Sequence, residues 1–364
     1  MLQPSIPTAL DHYRLLGRSG LRVSPLSLGT MTFGMPGWGT DYAEAEKMVS
    51  HYRELGGNFV DTANFYAQGE SERMLGQLLK QHRQQMIIAT KYSLTMRPGD
   101  PNASGNQRKT MIQAVEDSLR RLDTDYIDLL YLHLWDDRTP VEEVLRAFDD
   151  LVRAGKLLYV GISDTPAWQI SRMQAVADLR GWVPLVALQV PYNLTERTVE
   201  REFMPMAQEM GLGVLPWSPL AGGVLSGTYS RADLDSLNSS ANMGREHQDL
   251  SSRKNINRLT GRLTPRALGI ADVVSVVAQE LNRSPAQVAL AWTLLNPAVT
   301  SPIVGARTFA QFADNLAALK VQFSDEQKAQ LNAVSEIDTC FPYTMMDTPT
   351  GLMMLGNVQV EKRR

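Results

Sequence analysis

The sequence predicts an α/β protein, and within that class a (β/α)8 TIM barrel, on three observations. Short apolar, β-branched runs alternate with helical patterns along most of the 364 residues, as repeated βα units do. Eight such runs follow one another at about 30 residues, the length a strand with its crossover helix needs, with one large insertion before the last. No strand is followed by the G-x-G-x-x-G of an open dinucleotide-binding sheet, and polar residues of interest end many different strands. Both features favour the closed barrel over a doubly wound open sheet.

The expected strands run from Ser24 to Leu28, Asn58 to Thr62, Met86 to Lys91, Ile127 to His133, Leu158 to Ser163, Leu185 to Pro191, Gly213 to Trp217 and Thr300 to Gly305. Ahead of them, Tyr13 to Leu16 and Leu21 to Val23 flank Gly17-Arg18-Ser19-Gly20. This reads as a β-hairpin within residues 12–23, placed to plug the barrel bottom. Thr139-Pro140-Val141-Glu142 reads as N-cap, proline at the first helical position and reciprocal Glu, ahead of an apolar face of Val144, Leu145, Phe148, Leu151 and Val152. That helix stops at Gly155, and Thr165-Pro166 opens the next in the same way. Ser284-Pro285-Ala286-Gln287 and Thr308-Phe309-Ala310-Gln311 read as further capping boxes. A Pro/Gly/Asn-rich loop from Ser93 to Lys109, a long polar loop over 222–266 and a Met-rich tail over 338–364 lie outside the repeat.

Composition narrows the classes. With 43% hydrophobic and 21% charged residues, the chain can bury a large core and is not disordered. Its length allows two domains of about 150 residues, but a barrel absorbs about 250 or more as one unit, so one barrel domain over 1–364 is expected. Lys+Arg at 36 against Asp+Glu at 39 leaves a net charge of −3, which offers a phosphate backbone no basic surface. Nucleic acid is therefore not an expected partner. The single Cys340 excludes an internal disulfide, and the five histidines lack metal-ligand spacing. No apolar run reaches the roughly 18 to 20 residues of a membrane span, and Met1 to Asp11 lacks the regions of a signal peptide. A soluble cytoplasmic protein is the expectation.

Four side chains of different chemistry close adjacent expected strands: Asp61 at the end of the second with Tyr66 just beyond it, Lys91 on the third and His133 on the fourth. Singly they read as a turn residue, a loop aromatic, a solvated cation and a hydrogen-bonded structural imidazole. Together at one rim they form a candidate site. A phenol titrates near about 10 and donates a proton poorly at neutral pH unless a cation lowers that value. Lys91 is expected to do so, with Asp61 holding Lys91 and His133 polarising a carbonyl. This metal-free arrangement suits protonation of a carbonyl oxygen while hydride reaches its carbon. Thr308-x-x-Gln311, opening a helix after the last strand, is separately an anion site by position.

Val60-Asp61-Thr62-Ala63 through Tyr66, Ala89-Thr90-Lys91 and Leu132-His133 resemble the Asp/Tyr/Lys/His tetrad of the aldo-keto reductases. The likeness extends from about Leu26 to Leu319, through Ser27-Leu28-Gly29-Thr30-Met31, Val160-Gly161-Ile162-Ser163, Leu188 to Asn193, Pro216 to Leu220 and Ile303-Val304-Gly305-Ala306-Arg307. Leu132 to Asp136 and Gly161 to Trp168 look most like the aryl-alcohol dehydrogenase branch. The resemblance implies a barrel that binds NADPH in extended form, with Tyr66 as general acid, Lys91 and Asp61 tuning it and His133 orienting substrate. It also implies cofactor contacts at Gly29, Thr30, Met31 and Asp61, with Ser163, Asp164 and Gln189 at the nicotinamide carboxamide end and Trp217 stacked on the ring. Ser218, Pro219, Leu220 and Gly222 would line the pyrophosphate, and Gly305, Arg307, Gln311 and Asn315 the adenosine phosphate. Asp164 stands where many relatives carry Asn, although the branch it resembles shares the Asp.

The leading expectation is an NADPH-dependent oxidoreductase interconverting aldehydes or ketones and alcohols, on aromatic or bulky apolar substrates. Two alternatives stand beside it: a cofactor-binding regulatory subunit resembling the β-subunits of potassium channels, and a Schiff-base lyase using Lys91. Steady turnover of cofactor with an aldehyde distinguishes the first, and borohydride trapping the last. The two loops and the tail, with Met345, Met346, Met353 and Met354, are expected to line or cover the pocket. The tail reads equally as a homo-oligomer contact.

Overall fold

Parallel strands buried on both faces need helices outside and side chains filling the inside, and the chain supplies both. The computed structural model describes residues 6–238, 253–346 and the single positions 353, 354, 356 and 358. Strands β1 (Arg14–Leu15) and β2 (Arg22–Val23) form an antiparallel hairpin. Eight parallel strands follow: β3 (Ser27–Gly29), β4 (Phe59–Asp61), β5 (Ile87–Tyr92), β6 (Ile127–Leu132), β7 (Leu157–Ser163), β8 (Leu185–Pro191), β9 (Gly213–Trp217) and β10 (Ile303–Val304). They pair in the order β10-β3-β4-β5-β6-β7-β8-β9. A parallel bridge between Val214 and Val299, with Thr300 N–H donating to the Val214 carbonyl at 2.7 Å, brings the two ends together into a barrel.

The first and last barrel strands are shorter than expected. Pro25 and Pro302 lack the N–H a ladder needs, and Ser24 instead exchanges side-chain hydrogen bonds with Asn58 at 2.9 Å. The helices that follow the strands are α1 (Tyr42–Glu54), α2 (Glu70–Leu79), α3 (Arg108–Leu122), α4 (Val141–Arg153), α5 (Ala167–Arg180) and α6 (Phe203–Met210). The expected long loop over 222–266 is partly helical, carrying α7 (Arg231–Asn238) and α8 (Arg253–Leu259), and residues 239–252 of it lie outside the described residues. Helices α9 (Pro265–Glu280) and α10 (Pro285–Thr293) lead to β10, and α11 (Phe309–Leu316), α12 (Asp325–Val334) and the short α13 (Tyr343–Met346) complete the order.

Helix starts follow the sequence in part. Ser284 and Thr308 cap α10 and α11 with their side chains, and Pro285 takes the first turn of α10. Thr139 and Thr165 are not caps. Extended Pro140 and Pro166 occupy that place without a capping side chain, while the Thr139 hydroxyl donates to Asp136 and that of Thr165 to the Ser163 carbonyl. The reciprocal capping box with both arms formed is Ser324 with Gln327, at α12.

The barrel interior is packed by Phe59, Ile87, Ala89, Leu129, Tyr131, Ala187 and Leu215, and Leu16 and Val23 of the hairpin belong to the same cluster. The hairpin therefore closes the barrel floor, as expected. Arg14 Nη1 donates to the Val299 carbonyl at 2.7 Å. At Gly17, φ is +54°, and a Cβ there would lie 2.3 Å from the Val186 carbonyl oxygen and 2.5 Å from that of Gly211. Gly17→Ala is accordingly expected to destabilise the fold by about 2 to 3 kcal/mol, read as a lower denaturant midpoint. An unchanged midpoint would mean that the hairpin does not pack on the floor.

Candidate active site

The four side chains expected at one rim do converge there. Register pairs Asp61 with Ala89 across β4 and β5, and Lys91 with Tyr131 across β5 and β6, so Asp61 and Lys91 point inward at the carboxyl end of the barrel. Lys91 Nζ donates to Asp61 Oδ1 at 2.5 Å, to the Thr62 carbonyl at 2.8 Å and to Tyr66 Oη at 3.2 Å. Its side chain is 0% exposed, and that of Asp61 3%. Such burial is tolerated only when charge and hydrogen bonds are both matched. Gln189 completes the match by donating Nε2 to Asp61 Oδ2 at 2.7 Å. The Tyr66 ring meets His133 edge-on, with centroids 6.0 Å apart.

Tyr66 is delivered by a strained turn. Residues Tyr66–Gly69 form a kinked turn in which Ala67 and Gln68 are left-handed, at φ 49° and 56°, a conformation that costs on the order of 1 kcal/mol or more per residue. Gly69, at φ +87°, lets Arg121 pass where a Cβ would lie 2.6 Å from its Cδ. Behind it, buried Glu72 accepts from Arg121 Nε and from Thr90 Oγ1, each at 2.6 Å. This ties α2 and α3 to the strand that carries Lys91.

Electrostatics departs from expectation at one point. Burial raises the Tyr66 phenol above its ordinary value, and Lys91 offsets this only in part, so the net shift is upward where a net lowering was expected. Burial alone would lower the Lys91 ammonium, yet Asp61 and Tyr66 hold it above its usual value. Burial pushes the Asp61 carboxyl up against the pull of Lys91. His133 is pushed down to about 3 by burial, with the Lys91 charge adding to the effect. At neutral pH the cluster thus holds an ammonium, a protonated phenol and a neutral imidazole.

The remaining expected contacts fall on the same face. Gly29 pairs with Asp61, and Thr30 donates both N–H and Oγ1 to the Asp61 carbonyl; Met31 follows, partly buried. Ser163 ends β7 beside Gln189 in register, its hydroxyl buried with no well-formed hydrogen bond among the described residues. Asp164, at φ 37°, accepts from Trp217 Nε1 at 3.1 Å, and the Arg262 guanidinium lies 5.3 Å over the Trp217 ring. Asp164 therefore orients the tryptophan.

Past β9, Ser218, Ala221, Gly222 and Gly223 all have positive φ, interleaved with buried Pro219 and with Leu220, a concave backbone of the kind that faces anions. At the end of β10, Gly305, Arg307 and Gln311 are exposed and Asn315 is buried; Gln311 Oε1 accepts from Arg307 N–H. A buried hydroxyl without a well-formed hydrogen bond, a partly exposed indole, a concave backbone turn and an exposed arginine at a helix start fit a dinucleotide. Met345, Met346, Met353 and Met354 of the tail are exposed, and α13 is tied by Tyr343 Oη to Glu202. Among the described residues no group of three or more His, Cys, Asp or Glu could hold a metal ion, and no helix is long and apolar enough to cross a membrane.

Sequence reasoning missed Asn106 as a partner of Asp136. The two are 30 positions apart, yet Asn106 N–H donates to Asp136 Oδ2 and Asp136 N–H to Asn106 Oδ1. The available signal was an Asp two and three residues before Arg138 and Thr139, whose amides it accepts, which marks a turn but not its distant partner. Glu72 and Arg121 were also unread.

A sequence profile of the Aldo/keto reductase family matches residues 25–336. The chain is 35% identical over 359 residues to the aryl-alcohol dehydrogenase [NADP(+)] of Phanerodontia chrysosporium, covering 94% of this chain and 90% of that protein. It is 34% identical over 361 residues to a norsolorinic acid reductase of Aspergillus flavus, covering 95% and 87%. With an uncharacterized oxidoreductase of Bacillus subtilis it shares 35% identity over 334 residues, covering 88% and 95%.

Because His133 ionises only at about 3, it carries no charge anywhere between about pH 5 and 8, the range in which an ordinary imidazole titrates. NMR of the histidine rings, with His133→Gln to assign the signal, should show one imidazole with constant shifts across that range. A midpoint near 6.5 for His133 would refute its neutrality.

Proposed function

The chain belongs to the aldo/keto reductase family, oxidoreductases that act on carbonyl compounds, and from this membership and the site geometry we propose that it is an NADPH-dependent reductase of aldehydes or ketones. The supporting observation is the chain of contacts from Asp61 through Lys91 to the Tyr66 hydroxyl, opposite a neutral His133. Bound in the cleft, the dinucleotide would supply hydride to the carbonyl carbon. Tyr66, protonated at neutral pH because burial raises its phenol, donates the proton to the carbonyl oxygen. Lys91, within hydrogen-bond distance of Tyr66 Oη, stabilises the phenolate that remains, and Asp61 keeps the ammonium in place. His133 orients the carbonyl as a neutral donor. Burial of the Lys91–Asp61 pair also excludes water from the proton-transfer path.

Ser163, Gln189 and Trp217 would hold the nicotinamide, Ser218, Leu220 and Gly222 the pyrophosphate, and Arg307, Gln311 and Asn315 the adenosine phosphate. The apolar rim residues Phe65 and Leu134, both exposed, favour aromatic or bulky apolar carbonyl substrates. All three Lys91 protons are engaged and its pKa is raised, which disfavours a Schiff-base role because that chemistry needs a neutral amine.

Tyr66→Phe should lower carbonyl reduction by about 10² to 10⁴-fold while the affinity for NADPH, measured by quenching of protein fluorescence, stays within about twofold. Wild-type turnover in this variant would remove Tyr66 from the acid role. For Arg307, a charge-assisted contact with the 2′-phosphate contributes about 1.5 to 3 kcal/mol, or about ten-fold to more than a hundred-fold in affinity. Arg307→Ala should therefore weaken NADPH binding by that factor and leave NADH almost unaffected at fixed salt. Equal losses for the two cofactors would mean that Arg307 does not read the phosphate.

A further inference from the structure

We propose that Asn106 and Asp136 are a positioning pair which sets the site's preference for bulky over small carbonyl substrates, by locking the wall that follows His133; this rests on the reductase reading above. The four consecutive residues His133 to Asp136 belong to no helix or strand. Even so, each of their N–H groups is held by a different residue across the rim. His133 donates to the Tyr92 carbonyl at 3.0 Å and Trp135 to the Asp164 carbonyl at 3.3 Å. Leu134 donates to Ser93 Oγ at 3.1 Å, and Asp136 to Asn106 Oδ1 at 2.8 Å.

Asn106 is the hub of this arrangement. Fully buried, it uses every polar group: its N–H donates to Asp136 Oδ2 at 2.7 Å, its Nδ2 to the Leu134 carbonyl at 2.8 Å, and its carbonyl accepts from Tyr92 Oη at 3.2 Å. Asp136 spends its remaining lone pairs on the amides of Arg138 and Thr139 and on the Thr139 hydroxyl. The two loops are pressed together closely. Gly105, at φ +83°, has room for no Cβ, which would lie 2.8 Å from Asp136 Oδ2. Ser93 accepts the unfavourable φ of 109° and holds Gly105 N–H through its carbonyl at 2.8 Å.

Neither Asn106 nor Asp136 hydrogen-bonds to Asp61, Tyr66, Lys91 or His133, so the network serves no proton transfer. What it immobilises is Leu134, 48% exposed beside His133, and the partly buried Trp135. A loop left free at this rim would yield to any ligand; a stapled one presents a fixed apolar shape. That shape matters to a substrate large enough to touch it, whereas a small aldehyde needs only Tyr66 and His133.

The test uses the full chain and compares wild type, Asn106→Ala and Asp136→Asn in the reduction of a substituted benzaldehyde and of a short aliphatic aldehyde. NADPH affinity is measured alongside by fluorescence quenching. Asn106→Ala should raise KM for the benzaldehyde about tenfold, with kcat within about threefold, and leave kcat/KM for the aliphatic aldehyde and the cofactor affinity within about twofold. Asp136→Asn keeps the shape but turns one accepting oxygen into an amide nitrogen that faces N–H donors, and should give a change of the same kind; if Asn106→Ala fails to fold, it carries the test alone. Proportional losses for both aldehydes, or an unchanged preference, overturn the positioning role. A wild-type protein that reduces neither aldehyde overturns the reductase reading instead, and the proposal with it.

Discussion

The Lys91–Asp61 ion pair, closed off from water inside the barrel mouth, is the constraint around which the rest of the rim is arranged. Removing two charges from water costs several kcal/mol per ion, and their attraction repays it only if the other lone pairs and protons are also satisfied. Thr62 supplies a carbonyl to Lys91, Gln189 supplies an amide to Asp61, and Tyr66 takes the third ammonium proton. Removing either charged partner would strand the other. The pair is therefore a liability for stability that makes sense only as part of a site, where a fixed cation beside a phenol has a use.

Supporting that pair takes a second layer of unusual structure. The two left-handed residues after Tyr66 and the buried Glu72–Arg121 pair lie outside the reacting groups, yet they determine where the phenol stands. Glu72 bonds Thr90, the neighbour of Lys91 on the opposite face of β5, so the outer helices and the inner site share one strand. Strain in the Tyr66 turn persists because Gly69, Arg121 and Glu72 over-determine it, as expected of backbone strain at a functional site.

How much of this the sequence disclosed depends on the range of the interactions involved. Barrel strands were legible because burial on both faces leaves runs such as Ile127 to Leu132 almost wholly apolar. The hairpin was legible from Gly17 and Gly20 between short apolar arms. Asp61, Tyr66, Lys91 and His133 were legible as strand-end residues and through a family resemblance. The direction of the Tyr66 shift was not, because a nearby cation can be read from neighbouring strand ends, whereas the depth of burial that outweighs it is a tertiary property. Thr139 and Thr165 were misread as caps for a local reason: a following proline in an extended conformation moved the helix start forward and released each hydroxyl for another partner. Asn106 was illegible because its three partners, Tyr92, Leu134 and Asp136, come from the strand before it and the loop after the next strand.

The contrast between His133 and its neighbours follows from the same physics. A neutral imidazole is what remains when burial and a nearby ammonium both oppose protonation, so the fixed charge that anchors the phenol also deprives the histidine of its own. An imidazolium here would place a second cation beside Lys91 and compete with Tyr66 as proton donor. In the proposed reduction, holding His133 neutral would leave one acid at the rim, the phenol, while the imidazole could still donate a hydrogen bond and give a carbonyl its direction. On the proposed reading, one buried cation would thereby divide the labour among all four groups, with Lys91 charged, Asp61 its counter-ion, Tyr66 carrying the proton and His133 guiding the carbonyl.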